Sequence, residues 1–434
     1  MKRALIGCLL LMGCGDSDTT GPGGFGGAGG GGDGGGGAGP TLLIDARDVN
    51  NRTELVAGVD CIANDATGRL VDHVVTADTP VAIAAPPGGT ISIVHQKPDV
   101  RTIASYRVTD GLTAIHGIVG PYVPPPANDP MSAVHAEVTA PPEILEVVVL
   151  LSCGTEVTPI YLPDSATITD FVGCPGKDTF SAIGLGFNVD SKVVAYDYVS
   201  DLPFVAGGEA TVQFDMNHTL FGDFAYDLTN IPASGVVGGA FVNLLASEQL
   251  AGYSDDFITF GGLVGSSYSG VFRVPTELPG RVTASINVSE PADAAGRCRI
   301  STIQRYDLDV ADTLSWDVTG DLGAVSLTGG DDAPTWSVEG TPRTRILLSI
   351  TATAANWSGN FTMYDDPTLG TRTWVLPELP EELADFNPPS GATFVARVAH
   401  QDIAGRSYVE ETEMGVTSTY SDYTESLVKS CTPD

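Results

Sequence analysis

The chain has 434 residues, of which 21 are basic and 54 acidic, giving a net charge of −33, with 42% hydrophobic and 17% charged residues. So acidic a balance argues against nucleic acid as a partner, because phosphate binding rests on Lys and Arg displacing counterions. The length exceeds what one hydrophobic core organises and the apolar content suffices for a folded body, so two to four domains are expected, three being the central expectation.

Met1-Lys2-Arg3 is a short basic start, and residues 4–13 form an apolar run ending in Gly13 before Cys14. A run of ten residues is too short for a transmembrane helix, which needs about 20, and reads as a signal-peptide core. Cys8 also lies in this run, but it is flanked by Ile6-Gly7 and Leu9-Leu10 with no polar segment after it. Residues 15–40 hold 15 glycines and no aliphatic residue larger than alanine. Such a composition is expected to be a disordered, flexible coil, with an r.m.s. reach of roughly 28 Å.

Leu11-Met12-Gly13-Cys14 resembles the lipobox of bacterial lipoproteins. The resemblance implies cleavage before Cys14, lipidation of its thiol by diacylglycerol, and two or three acyl chains in all, enough for firm membrane anchoring. Gly15 stands where an aspartate would favour inner-membrane retention in some bacteria, which directs the expectation to the outer membrane. Residues 1–13 are thus expected to be the signal peptide and 14–40 the lipidated cysteine and tether.

Beyond the tether, period-two runs recur at 59–63, 90–95, 146–150, 345–350 and 393–398, separated by Gly, Pro, Asn or Asp clusters. The spacing predicts an all-β chain of tandem β-sandwich domains, with one short helical piece near 380–386. Pro124-Pro125-Pro126 with Asp129-Pro130 interrupts any sheet, and the stretch 290–296 reads as a loop before a strand at 298–303. The expected domains are therefore 41–123, 131–290 and 297–434. Within the first, Gly58-Val59-Asp60-Cys61-Ile62-Ala63, Gly68, Thr76 and Pro87-Gly88-Gly89-Thr90 resemble the carboxypeptidase-regulatory or transthyretin-like fold over 58–95. That resemblance implies a small seven-stranded sandwich used as a non-catalytic module.

Export places the remaining cysteines in an oxidising compartment. Cys61 shares parity with Val59 and Ala63 and is expected to face the first core. Cys153 is paired with Cys174 and Cys298 with Cys431 as disulfide candidates, although spacing alone leaves connectivity open. His73, His95, His116, His135, His218 and His400 stand singly, outside any metal-binding spacing. Residues 265–270 lack the Gly-x-Ser-x-Gly register of a nucleophile elbow and read as a flexible loop. Asp307 with Asp309, Asp331 with Asp332, Asp365 with Asp366 and Glu381 with Glu382 are acidic pairs, and Asp331-Asp332 could share a calcium ion with backbone carbonyls. No catalytic residue and no cofactor is assigned.

All four tryptophans, Trp316, Trp336, Trp357 and Trp374, lie in the last segment. Trp316 and Trp336 alternate with apolar neighbours and are expected in a core, whereas Trp357, between Asn356 and Ser358, is the candidate ligand-contact ring. The expected role is a non-catalytic envelope module for a glycan or an envelope protein. The alternatives are an anchored carbohydrate-active hydrolase, with its acids among the acidic pairs, and a structural spacer.

Overall fold

The computed structural model describes residues 40–48, 55–96, 100–119, 132–151, 157–162, 165–171, 179–190, 192–231, 236–246, 249–253, 267–277, 281–305, 313–317, 324–339, 343–403, 405–415 and 422–431. The leader, Cys14, the tether to residue 39, the proline-rich break, Cys153, Cys174, Asp307 and Asp309 lie outside the described residues. The described residues form 28 strands, one α-helix and two 3-10 helices, so the fold is mostly β with several sheets.

The body begins with strand Thr41–Asp48, which runs antiparallel to Val81–Ala84 and parallel to Ala114–Val119. Facing it are four strands in the order Leu70–Val75, Asp60–Asn64, Thr90–Gln96, Arg101–Arg107. Leu42, Ile44, Ala46, Ile83 and Ile115 from the first sheet enclose a core with Cys61, Ala63, Ile91, Ile93 and Tyr106 from the second. Residues 41–119 thus hold seven strands in two layers. Alternation fails in Asp60–Asn64 and Thr90–Gln96 because both faces are covered: Ile62, Val94 and Ile103 point into a different core.

A second region packs the antiparallel strands Glu146–Leu151, Val157–Tyr161, Thr179–Phe187 and Val193–Pro203 against Ser132–Thr139, Ala166–Phe171 and Glu209–Asp215. Val134, Ala136, Val147, Val149, Phe180, Ala182, Val212 and Phe214 fill the space between. Strand Thr179–Phe187 is buried almost throughout, since Ile183 and Leu185 face away from that core toward Tyr196. Gly184 and Gly186 lie close under Phe214, Ile144 and Met216, where a side chain would not fit without displacing them.

One sheet of twelve strands then draws on all three expected domains. From one edge it runs through Gln249–Tyr253, Val236–Ala246, Arg281–Glu290, Arg297–Arg305, Tyr423–Ser430, Thr393–Ile403, Arg345–Ala354 and Trp357–Asp365. It continues into Arg101–Arg107, Thr90–Gln96, Asp60–Asn64 and Leu70–Val75. The loop expected as a boundary at 290–296 is the turn between two neighbouring antiparallel strands of this sheet. The joint between late and early strands is parallel, with Gly359 opposite Arg101 and Tyr364 opposite Tyr106. Over one face lie Ala324–Thr328, Thr335–Glu339 and the 3-10 helix Glu381–Phe386. Val325, Trp336, Trp374, Leu383 and Phe386 pack there with Ile346, Leu348, Ile350, Phe361 and Val398.

Two local expectations change. Helix Tyr408–Met414 forms where no helix was expected: the Ser407 hydroxyl accepts from the Glu410 amide, and the Glu410 carboxylate accepts from the Ser407 amide. The short helical piece expected near 380–386 is present as the 3-10 helix Glu381–Phe386. Residues 268–270, expected in a loop, open strand Tyr268–Pro275, which pairs with Phe221–Thr229. Gly270 is placed there against the Tyr226 ring, which a Cβ would strike.

Candidate functional site

Trp357 opens strand Trp357–Asp365, directly after the two-residue turn that follows Arg345–Ala354. The indole lies across Gly359, whose missing side chain leaves room for it. Its Nε1 donates to the Asp385 carbonyl at 3.0 Å, and the Arg101 guanidinium sits 5.9 Å from the ring centroid. Arg101 also pairs with the Asp385 carboxylate at 3.6 Å. The ring is half-buried, stacks toward Phe361 at 6.5 Å, and packs against the large core. A stacking ligand would therefore have to share the ring with Arg101.

Next to this ring, the segment around the 3-10 helix covers the edge of the twelve-stranded sheet. His73 stands between Asp60 at 2.8 Å and Glu382 at 3.5 Å. The Leu70 amide donates to the Glu378 carboxylate at 3.0 Å, and Asn64 Nδ2 donates to the carbonyls of Gly68 and Glu378. Glu382 and Asp385 stay mostly exposed, so the surface beside Trp357 presents hydrogen-bond acceptors around a partly exposed ring. It is suited to a hydroxyl-rich or cationic ligand.

Among the described residues, Asp331, Asp365 and Asp366 of the remaining acidic pairs have structural partners. Asp331 accepts from Arg297 at 2.6 Å and from the Ser430 hydroxyl at 3.4 Å, so its carboxylate already neighbours a cation. Asp366 caps the 3-10 helix Pro367–Leu369 through Thr368. Asp365 is buried and accepts from Arg107 Nε at 2.9 Å, while its other oxygen lacks a partner among the described residues. Burial pushes the Asp365 carboxyl up from its ordinary range, and the Arg107 charge and hydrogen bond offset only part of this. No group of three or more His, Cys, Asp or Glu side chains is placed to hold a metal among the described residues.

Cys298 and Cys431 are disulfide-bonded, with Cα atoms 5.7 Å apart, which ties strand Arg297–Arg305 to the end of Tyr423–Ser430. Cys61 is a free, buried thiol in the N-terminal core, its pKa pushed up to about 12 first by burial and then by Asp60 and Asp45. Trp316, Trp336 and Trp374 are buried.

Sequence reading missed two polar groupings. One is Asp45, where burial would raise the carboxyl but hydrogen bonds from His116 and Arg47, at 2.8 and 3.0 Å, hold it below the usual range. The other surrounds helix Tyr408–Met414, where buried Glu411 meets Arg406 at 3.1 Å and Arg345 at 3.5 Å. The signal that could have marked this helix is Ser407-x-x-Glu410, a capping-box signature. The Asp45 grouping had no comparable local signal, since His116 is 71 positions away.

No protein-family model matches the sequence, and no curated protein does. A solved structure of a leucine-rich repeat protein from Bacteroides thetaiotaomicron is similar over 43% of this chain and 26% of that one, at 10% identity. This chain thus spans about a quarter of that protein's length, and the TM-score of 0.20 carries no inference about fold or function.

Proposed function

We propose that the chain is a non-catalytic surface lipoprotein of the bacterial cell envelope, anchored in the outer membrane through Cys14. Its β-sheet body would act as a binding or structural module for a glycan or an envelope protein. The observation that carries the reading is the run Leu11-Met12-Gly13-Cys14 followed by 15 glycines in residues 15–40. The glycine-rich composition gives way at Thr41 to a strand whose Leu42 and Ile44 are fully buried, so spacer and body meet at one point. Seven strands in two layers over 41–119 support a carboxypeptidase-regulatory-like first module. The commitment of Asp331, Asp365 and Asp366 to an ion pair, a buried pair and a cap supports a non-catalytic role. Trp357 with Glu382 and Asp385 is the proposed contact surface.

Intact-mass spectrometry of membrane-extracted protein tests the anchor. The expected product begins at Cys14 and carries added acyl chains, and Cys14→Ser should release the protein from membranes. A product that retains residues 1–13, or lacks acyl mass, would overturn the reading. Binding of the purified body to envelope glycans, reduced at least tenfold by Trp357→Ala, would support the contact surface, and unchanged binding would remove Trp357 from it.

A further inference from the structure

We infer that residues 41–119 and the strands between 345 and 430 are a single cooperative folding unit, closed across a parallel seam by helix Tyr408–Met414 acting as a strap. The N-terminal unit is accordingly not a free-standing module, although its seven strands would form one by count alone. Three observations carry this.

The early strands contribute to two cores. Cys61, Ala63, Ile91 and Ile93 face the N-terminal core, while Ile62, Val94 and Ile103 pack with Ile346, Leu348 and Val398 of the late strands. Detaching the late strands would expose those three apolar side chains and the edge of Arg101–Arg107 together.

The seam itself is held by partners distant in sequence. Arg101–Arg107 and Trp357–Asp365 pair in parallel over six residues, Tyr106 stacks on Tyr364 at 4.8 Å, and Arg107 pairs with buried Asp365. Arg345 lies 5.1 Å from the centre of the Tyr364 ring and reaches Glu411 of the helix, which extends the contact from the seam to the strap.

The strap then spans the seam. The buried Tyr408 hydroxyl lies 3.0 Å from the carbonyl oxygens of both Arg107 and Tyr364, one on each seam strand. At the other end of the helix, Glu413 accepts from the amide and hydroxyl of Thr113 in the N-terminal unit.

The full chain supplies its own reporters. Cys61 is a buried free thiol on the N-terminal side, whereas Trp336 and Trp374 are buried in the core on the other side of the sheet. The experiment is a urea titration with pulsed iodoacetamide labelling, read on the Cys61-containing peptide, alongside tryptophan fluorescence. Cys61 labelling and the main fluorescence change are expected to share one midpoint. Ile350→Val, which alters only the large core, should lower the Cys61 midpoint as much as the fluorescence midpoint. Tyr408→Phe, which removes one hydroxyl at the strap, should likewise move both together. Labelling of Cys61 while the fluorescence stays native, or an Ile350→Val shift confined to fluorescence, would overturn the inference.

Discussion

Arg107 and Asp365 stand 258 positions apart, yet the Arg107 Nε donates to the Asp365 Oδ1 at 2.9 Å with both side chains buried. Arg107 also donates to the Gly88 carbonyl at 2.8 Å, and Asp365 Oδ1 accepts from the Asp366 amide at 3.0 Å. A charge pair this far from water is costly to half-remove, because the surviving partner is left uncompensated. Asp365→Ala should therefore destabilise the chain by about 3–5 kcal/mol in urea denaturation. Replacing both residues with apolar side chains of similar volume should cost much less than the single change, which a double-mutant cycle would detect.

Acid should act on Asp45 in a defined direction. Its carboxyl is held below the ordinary aspartate value of 3.8 by His116 and Arg47, so the unfolded chain binds the proton more readily. Its contribution is present above 3.8 and disappears as pH falls through the lowered folded value. Asp45→Asn should flatten the acid limb of a plot of melting temperature against pH, and an unchanged limb would remove Asp45 as its source.

Asp365 has the opposite sign. Burial raises its folded value above that of the unfolded chain, so the native state binds the proton more tightly. Its contribution is full below the unfolded value and is lost as pH rises through the raised one. Asp365→Asn should thus lessen any decline in stability on that rising limb, measured by the same melts.

The strap depends on its cap. Ser407→Ala removes the side-chain acceptor for the Glu410 amide and should cost about 1 kcal/mol, since an alanine cannot satisfy that donor. Amide hydrogen exchange should show the loss first in residues 408–414, and uniform exchange throughout the chain would contradict a local role.

Gly359→Ala would drive a methyl group into the Trp357 ring. Relief requires the indole to leave Arg101 and the Asp385 carbonyl, at a cost of about 1–3 kcal/mol typical of overpacking. A red-shifted tryptophan emission with a lowered urea midpoint is the expected result, and a wild-type spectrum would show that the ring can adjust in place.

Residue spacing alone determined the β character, the β runs at 59–63, 90–95, 146–150, 345–350 and 393–398, which fall on strands 60–64, 90–96, 146–151, 345–354 and 393–403, and the inward faces of Cys61, Trp316 and Trp336. These are local properties: alternation every two residues assigns a face, and turn residues end a strand. The Cys298–Cys431 bond was also expected from the sequence, although spacing did not decide it against other pairings. Only the tertiary structure decided which sheet each strand joins. Arg101–Arg107 has no local feature that selects Trp357–Asp365 as its neighbour, and Ile62 reads as an outward residue until a second core covers that face. Likewise, Trp357 reads as a loop ring until Arg101 and Asp385 arrive from elsewhere in the chain. Backbone pairing and long-range ion pairs are satisfied by any chemically suitable partner, so the choice among partners is made by packing of the whole fold rather than by any single segment.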